Sequence, residues 1–125
     1  MPSSMLVAVV EDDAPSRAAT GRVLRAGGFE PALFDSAEAF LKAAPTRCPL
    51  CLIVDVHLTG MSGIDLQKRL RETGVAPPII ITTGDREESV RTCAQQNGCV
   101  AFLQKPFDSA TLLGLIASIA RDAAP

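Results

Sequence analysis

The sequence predicts an α/β domain: a doubly wound, five-stranded parallel sheet with helices on both faces. Three observations carry this. Short runs of apolar residues alternate along the chain with segments of helical periodicity, five of each. Every connection between successive runs is long enough to hold a helix, so the strands run parallel. Two of the runs, Met5–Val10 and Leu50–Val54, are apolar at every position, which marks strands covered on both faces. Such elements stack as helix, sheet, helix.

Taken in order, Met5-Leu-Val-Ala-Val-Val10 is the first strand, ended by Glu11-Asp12-Asp13. Pro15 suits a first helical turn, and a helix runs from there to about Ala26, where Gly27-Gly28 stops it. Pro31–Phe34 is a short second strand with a weak signal. Asp35-Ser36 caps a helix that carries Ala37, Phe40, Leu41 and Ala44 on one face and ends at Pro45. The third strand is Leu50–Asp55. A glycine-bearing loop, His57–Gly63, follows, and Ser62 caps a helix holding Leu66 and Leu70 that closes at Gly74. After Pro77-Pro78, the β-branched run Ile79–Thr83 is the fourth strand. Asp85-x-x-Glu88 has the form of a capping box for a helix with Val90, Cys93, Ala94 and Asn97 on one stripe, stopped at Asn97-Gly98. Val100–Leu103 is the fifth strand. Asp108 caps a last helix whose inward face is Leu112, Leu113, Ile116, Ile119 and Ala120, and Ala123-Ala124-Pro125 frays. No linker or repeat divides residues 1–125, so they form a single domain.

Composition narrows the function. The 125 residues are 47% hydrophobic and 21% charged, ordinary for a chain with a real core. A net charge of -2 leaves no electrostatic footprint for nucleic acid. No apolar run is long enough to cross a bilayer, and the N-terminus lacks the charged region of a signal peptide; the expected location is cytoplasmic, with no membrane partner. Cys48-Pro-Leu-Cys51 has the spacing of a zinc or thiol-redox pair. A structural zinc site wants a second close pair, which Cys93 and Cys99 do not form. A redox pair would follow a strand and open a helix, whereas this one precedes and enters a strand. Cys51 therefore reads as a small buried hydrophobe.

The chemistry gathers where the strands end. In a doubly wound sheet, ligands bind outside the carboxyl ends of the strands. The first strand ends in Glu11-Asp12-Asp13, the third in Asp55 and the fourth in Thr83-Gly84; Gln104-Lys105-Pro106 follows the fifth. Alone, Asp55 reads as a loop cap. With Asp12, Thr83 and Lys105 in register it reads as part of a site. Clustered carboxylates repel, and a hard divalent cation relieves the cost. A lysine and a threonine opposite them supply donors for a phosphate. The set suits a phosphoryl group held on or near Asp55.

These residues, with Arg17 beyond the first acidic cluster, Ile53-Val54-Asp55, Gly60-Met61-Ser62-Gly63, Thr83-Gly84 and Lys105-Pro106-Phe107, resemble the receiver domain of two-component response regulators, the CheY-like (flavodoxin-like) fold. The resemblance covers essentially the whole chain. It implies strand order 2-1-3-4-5. It implies that Asp55 is the phosphoacceptor for a sensor histidine kinase or phosphotransfer protein. It implies that Asp12 and Asp55 ligate Mg²⁺ together with the backbone carbonyl of His57, and that Glu11 contributes through water or a weaker contact. It implies that Thr83 bonds a phosphate oxygen on activation, that Lys105 pairs with the phosphoryl group before a cis Lys105–Pro106 bond, and that Phe102 is the aromatic that turns inward as Thr83 moves. The receiver is then a signalling switch and not a conventional enzyme, and one face of the last helix is open to a homodimer on phosphorylation. Thr83-Gly84 and Ser36-Ala37-Glu38 resemble receivers that precede a helix-turn-helix transcriptional domain. The chain is accordingly either free-standing or the first domain of a longer regulator.

Three positions depart from the family's usual pattern. Glu11 replaces the common first aspartate. Thr59 stands where a proline is usual. His57 and Asp85 occupy positions that, by the resemblance, modulate phosphoryl lifetime. One enzymatic alternative also matches in part. Asp55-Val-His-Leu-Thr59 resembles the D-x-D-x-T motif of haloacid-dehalogenase phosphohydrolases, with Asp55 as nucleophile. However, His57 stands in for that family's general acid, and the motif lies far from the first strand. A phosphate-independent interaction module is the third reading, and the intact acid, threonine and lysine set argues against it.

Overall fold

Each central strand is covered on both faces, and this builds the molecule. The computed structural model describes residues 5–43, 48–74, 76–84 and 88–123. The chain runs β1 (Leu6–Val10), α1 (Ala14–Ala26), β2 (Glu30–Phe34), α2 (Ala37–Ala43), β3 (Cys51–Asp55), α3 (Gly63–Thr73), β4 (Ile79–Thr83), α4 (Glu88–Gln96), β5 (Ala101–Gln104) and α5 (Ser109–Ala123). All four strand pairings are parallel, in the order β2-β1-β3-β4-β5. The expected architecture and order are those observed.

β1, β3 and β4 are buried at every position. Successive side chains leave a strand on opposite faces, so each of these strands feeds two cores. Ala8, Val10, Leu52, Val54 and Ile81 pack with Phe40, Leu66, Leu70 and Ala94 of α2, α3 and α4. Val7, Val9, Cys51, Ile53 and Ile80 pack with Leu24, Leu112 and Ile116 of α1 and α5. Cys51 is fully buried, and burial pushes its thiol up to about 12, which keeps it protonated as a small core side chain.

The helix ends are set by local chemistry. Asp13 caps α1 by accepting from Ser16 N at 2.9 Å, with proline in the first turn. Ser62 caps α3 by accepting from Asp65 N at 3.0 Å, and Gly74 closes that helix in the left-handed region at φ 77°. Asp108 accepts from Thr111 N at 2.8 Å ahead of α5. Ala44, Pro45 and Asp85, assigned above to helix ends, lie outside the described residues.

Strand boundaries shift by one residue: β1 begins at Leu6 rather than Met5, β2 at Glu30 rather than Pro31, and β3 at Cys51 rather than Leu50. Val100 was placed in the fifth strand by its apolarity, but it stands before β5 and is 54% exposed. The strand instead extends through Gln104, which pairs with Thr83. The ladder partner outweighs side-chain polarity there, and this brings Lys105 to the rim: its N–H donates to Thr83 O at 2.8 Å.

Gly63, the first residue of α3, sits where the helix meets the end of β3. A Cβ at this position would run into the carbonyl of Asp55 and come within 3.0 Å of Val54 Cγ1. Only glycine lets the helix N-terminus approach the acidic strand end this closely.

Candidate functional site

The register delivers the side chains. Val10 lies beside Val54, so Glu11 comes level with Asp55; Asp55 lies beside Thr82, and Thr83 beside Gln104. Glu11, Asp55 and Thr83 are buried at the carboxyl edge, at 5%, 7% and 0% exposure. Buried carboxylates need partners. Lys105 Nζ supplies them, donating to Glu11 Oε1 and to Asp55 Oδ2, each at 2.6 Å. Burial alone would pull the lysine's pKa down. The hydrogen bonds and charges of Asp55 and Glu11 outweigh that and hold it above the ordinary lysine value.

The remaining bonds fix these groups in place. Asp55 Oδ1 accepts from His57 N at 2.9 Å. Glu11 Oε1 also accepts from Ser16 Oγ at 3.0 Å, and Glu11 Oε2 from Asp13 N at 3.2 Å. Arg17 Nη1 donates to the carbonyl of Glu11 at 2.9 Å. The buried acid of the first cluster is thus Glu11, held by direct contact with Lys105. Asp12 is exposed, and its Oδ2 accepts from both the amide and the hydroxyl of Thr59 at 3.1 Å. Among the described residues no three His, Cys, Asp or Glu side chains converge closely enough to hold a metal ion.

The donor set nonetheless suits a hard cation. Two buried carboxylates share a single ammonium, with a third carboxylate on the adjoining loop, and every candidate ligand is oxygen. Mg²⁺ keeps several waters and takes only one or two carboxylates in such sites, so Asp55 with Glu11 or Asp12 is a sufficient protein contribution.

His57 presents an exposed side chain in the loop after β3. Phe102, beside Ile81 in the β4–β5 ladder, is half-buried against the α2–α4 core, and the Arg91 guanidinium lies 5.2 Å from its ring centre. The Lys105–Pro106 bond is cis. Two contributors were not singled out from the sequence, Ser16 and Glu38. Glu38 accepts from Met61 N at 2.9 Å, and that bond holds its carboxyl below the usual range. Neither carries a local signal, because each partner is distant in sequence or on another element.

Comparison with known proteins places this arrangement. The family model described as the response regulator receiver domain matches residues 7–117. The transcriptional regulatory protein FixJ of Bradyrhizobium diazoefficiens is 38% identical over 117 residues, covering 94% of this chain and 57% of that protein. The response regulator protein TmoT of Ectopseudomonas mendocina is 35% identical over 111 residues, covering 89% of this chain and 50% of that protein. The chain thus spans little more than half the length of such relatives. Among solved structures, the FixJ-N crystal structure superposes with a TM-score of 0.83 at 30% identity, covering 96% of this chain and 95% of that one. The matches run through all five strands and do not favour the phosphohydrolase alternative. With the family model matched over residues 7–117 and the fold and strand order in agreement, the chain belongs to the response regulator receiver domain family.

Proposed function

We propose that this receiver accepts a phosphoryl group on Asp55 from the phosphohistidine of a sensor histidine kinase or phosphotransfer protein, in a Mg²⁺-dependent reaction, and so switches a surface that controls an output. The observation that carries this reading is Asp55 itself: buried, ending a central strand, held through Oδ1 by His57 N and through Oδ2 by Lys105. A carboxylate oxygen of Asp55 bonds to phosphorus as the phosphorus–nitrogen bond of the donor breaks, and the imidazole leaves with that electron pair. Transfer of this kind depends on positioning and charge neutralisation more than on covalent help. Asp55 is positioned by two fixed bonds. Lys105 is already within reach of the acceptor and neutralises charge on the incoming group. Glu11, Asp12, Asp55 and the His57 carbonyl are the residues that would hold Mg²⁺, which when bound would offset the charge of the phosphoryl oxygens facing the carboxylate. Thr83, at the end of β4, is the hydroxyl for a phosphate oxygen, and Phe102 two strand positions from Gln104 is the group that reports it.

The transcriptional role of FixJ supports gene regulation as the output, through a domain beyond this one. The slightly acidic receiver does not itself bind nucleic acid. It works in the cytoplasm, with a homodimer through α5 as the candidate phosphorylated assembly.

The test is incubation with MgCl₂ and acetyl phosphate, read by intact mass. One phosphoryl group per chain is expected, none when EDTA is present, and slow return to the unmodified mass. Sustained turnover of ordinary phosphomonoesters would establish a hydrolase instead.

A further inference from the structure

We propose that the cavity between the ends of α3 and α4, at the amino-terminal edge of the sheet, binds a small organic acid that also carries a hydroxyl or amide donor.

The cavity has a volume of about 380 Å³ and lies against Pro77, Pro78 and Ile79, where β4 begins. Small-ligand sites run from roughly 300 to 1,000 Å³, so the space suits a small molecule. It is on the opposite edge of the sheet from the Asp55 rim, since Ile79 opens β4 and Thr83 closes it. Three polar side chains reach its wall. Gln67 and Arg71 come from α3, and Asn97 follows α4.

Gln67 carries the argument. It is 1% exposed, and its Oε1 is buried with no hydrogen-bond partner among the described residues. A buried acceptor left unpaired is destabilising, and native proteins hold few of them. The amide cannot turn over to hide it. Nε2 donates to Ala94 O at 2.9 Å, and a carbonyl only accepts, so the nitrogen must face α4. Gln67 lines the cavity and Ala94 does not, so the oxygen is the polar atom that this side chain presents there. Asn97 is oriented by the same rule. Its Nδ2 donates to Cys93 O at 2.8 Å, which leaves its oxygen as a second acceptor. Arg71 stands one helical turn from Gln67, about 6 Å along the axis. It is exposed at the mouth, where Nη1 donates to Gln96 O at 3.2 Å. That bond steadies the guanidinium and uses one of its five donors.

The chemistry of the occupant follows. A carboxylate matches the planar guanidinium of Arg71. The other end must donate to Gln67 Oε1, and a neutral hydroxyl or amide does so without burying a second charge. A flat body between the two lies against the prolines and Ile79. One water could satisfy Oε1, but at about 30 Å³ it would fill little of the space.

The experiment is an amide NMR titration of the chain with para-hydroxybenzoate, benzoate and phenol. The first shifts the Gln67 side-chain amide and the Gly98 amide saturably, with a dissociation constant on the order of 1 mM for a ligand of this size. Benzoate lacks the donor and phenol lacks the anion, and each binds about tenfold more weakly. Arg71→Gln, at an exposed position, lowers the affinity for para-hydroxybenzoate to that for phenol. Gln67→Leu abolishes the preference for para-hydroxybenzoate over benzoate. Equal affinity for the three probes, saturation at another surface, or no saturable shift overturns the proposal. So does wild-type binding by Arg71→Gln, even if Gln67→Leu does not fold. A water held on Gln67 Oε1 that no probe displaces assigns that atom to solvent and overturns it as well.

Discussion

Asp55→Asn takes up no phosphoryl group from acetyl phosphate and Mg²⁺, while the wild-type chain takes up one. An amide oxygen lacks the charge and the lone-pair availability of a carboxylate, so the nucleophile is removed with almost no change in volume. The surroundings are built to tolerate the change. The side-chain carbonyl still accepts from His57 N, and Lys105 keeps its 2.6 Å bond to Glu11. The like-charge crowding between two buried carboxylates is also relieved. The variant therefore folds, with an unaltered far-ultraviolet circular dichroism spectrum, and the loss is chemical. Intact mass and peptide mapping read the result. Modification of Asp55→Asn to the wild-type extent would move the acceptor elsewhere.

Lys105→Met has the second largest effect and acts on both stability and chemistry. Removing the ammonium leaves Glu11 and Asp55 buried without the cation that each contacts at 2.6 Å. Breaking a buried pair costs 3–5 kcal/mol, and the partial exposure of this lysine reduces that to about 2 kcal/mol, or about 8 °C in Tm. Added Mg²⁺ raises the Tm of the variant more than that of the wild type, because the cation then supplies the missing positive charge. Phosphoryl loading slows by about a hundredfold, the usual effect of deleting one preorganised stabilising donor. The same contact sets an alkaline limit. Asp55 and Glu11 hold the folded-state pKa of Lys105 above its unfolded value, so the stabilisation is complete below the ordinary lysine value. It is lost as pH rises through the folded-state value. In metal-free buffer the wild-type Tm falls above about pH 10, and the Lys105→Met curve lacks that component. A wild-type Tm that is flat through this range would deny Lys105 its stabilising role.

The elements were legible wherever a single physical rule governed them. β1, β3 and β4 are buried on both faces and read as unbroken apolar runs. The caps Asp13, Ser62 and Asp108 act on amides three residues away, which is why they are visible in sequence. β2 gave a weaker signal because it is an edge strand, with exposed Glu30 and half-exposed Pro31. β5 lies one residue later than its apolar run, because hydropathy cannot show that Gln104, at its end, has a ladder partner in Thr83. At the site, the strand ends announced Glu11, Asp12, Asp55, Thr83 and Lys105, since parallel topology brings such ends together. The pairing within that set was not announced. Lys105 chooses Glu11 across 94 positions and Thr59 takes Asp12 across 47, and such contacts follow from loop conformation, which residue spacing does not encode.

The glycine at the start of α3 has a genetic consequence. Gly63 touches no substrate and carries no functional group, yet any side chain there strikes the Asp55 carbonyl. In a saturation scan scored by signalling, position 63 would behave like the proposed acceptor Asp55, with every replacement inactive. Scored by protein abundance the two would separate: Asp55 variants accumulate, and Gly63 variants are degraded. Gly74 and Gly98, with no atoms within 4 Å of a would-be Cβ, would show graded tolerance in both screens. Backbone proximity thus writes an allele pattern that mimics catalysis.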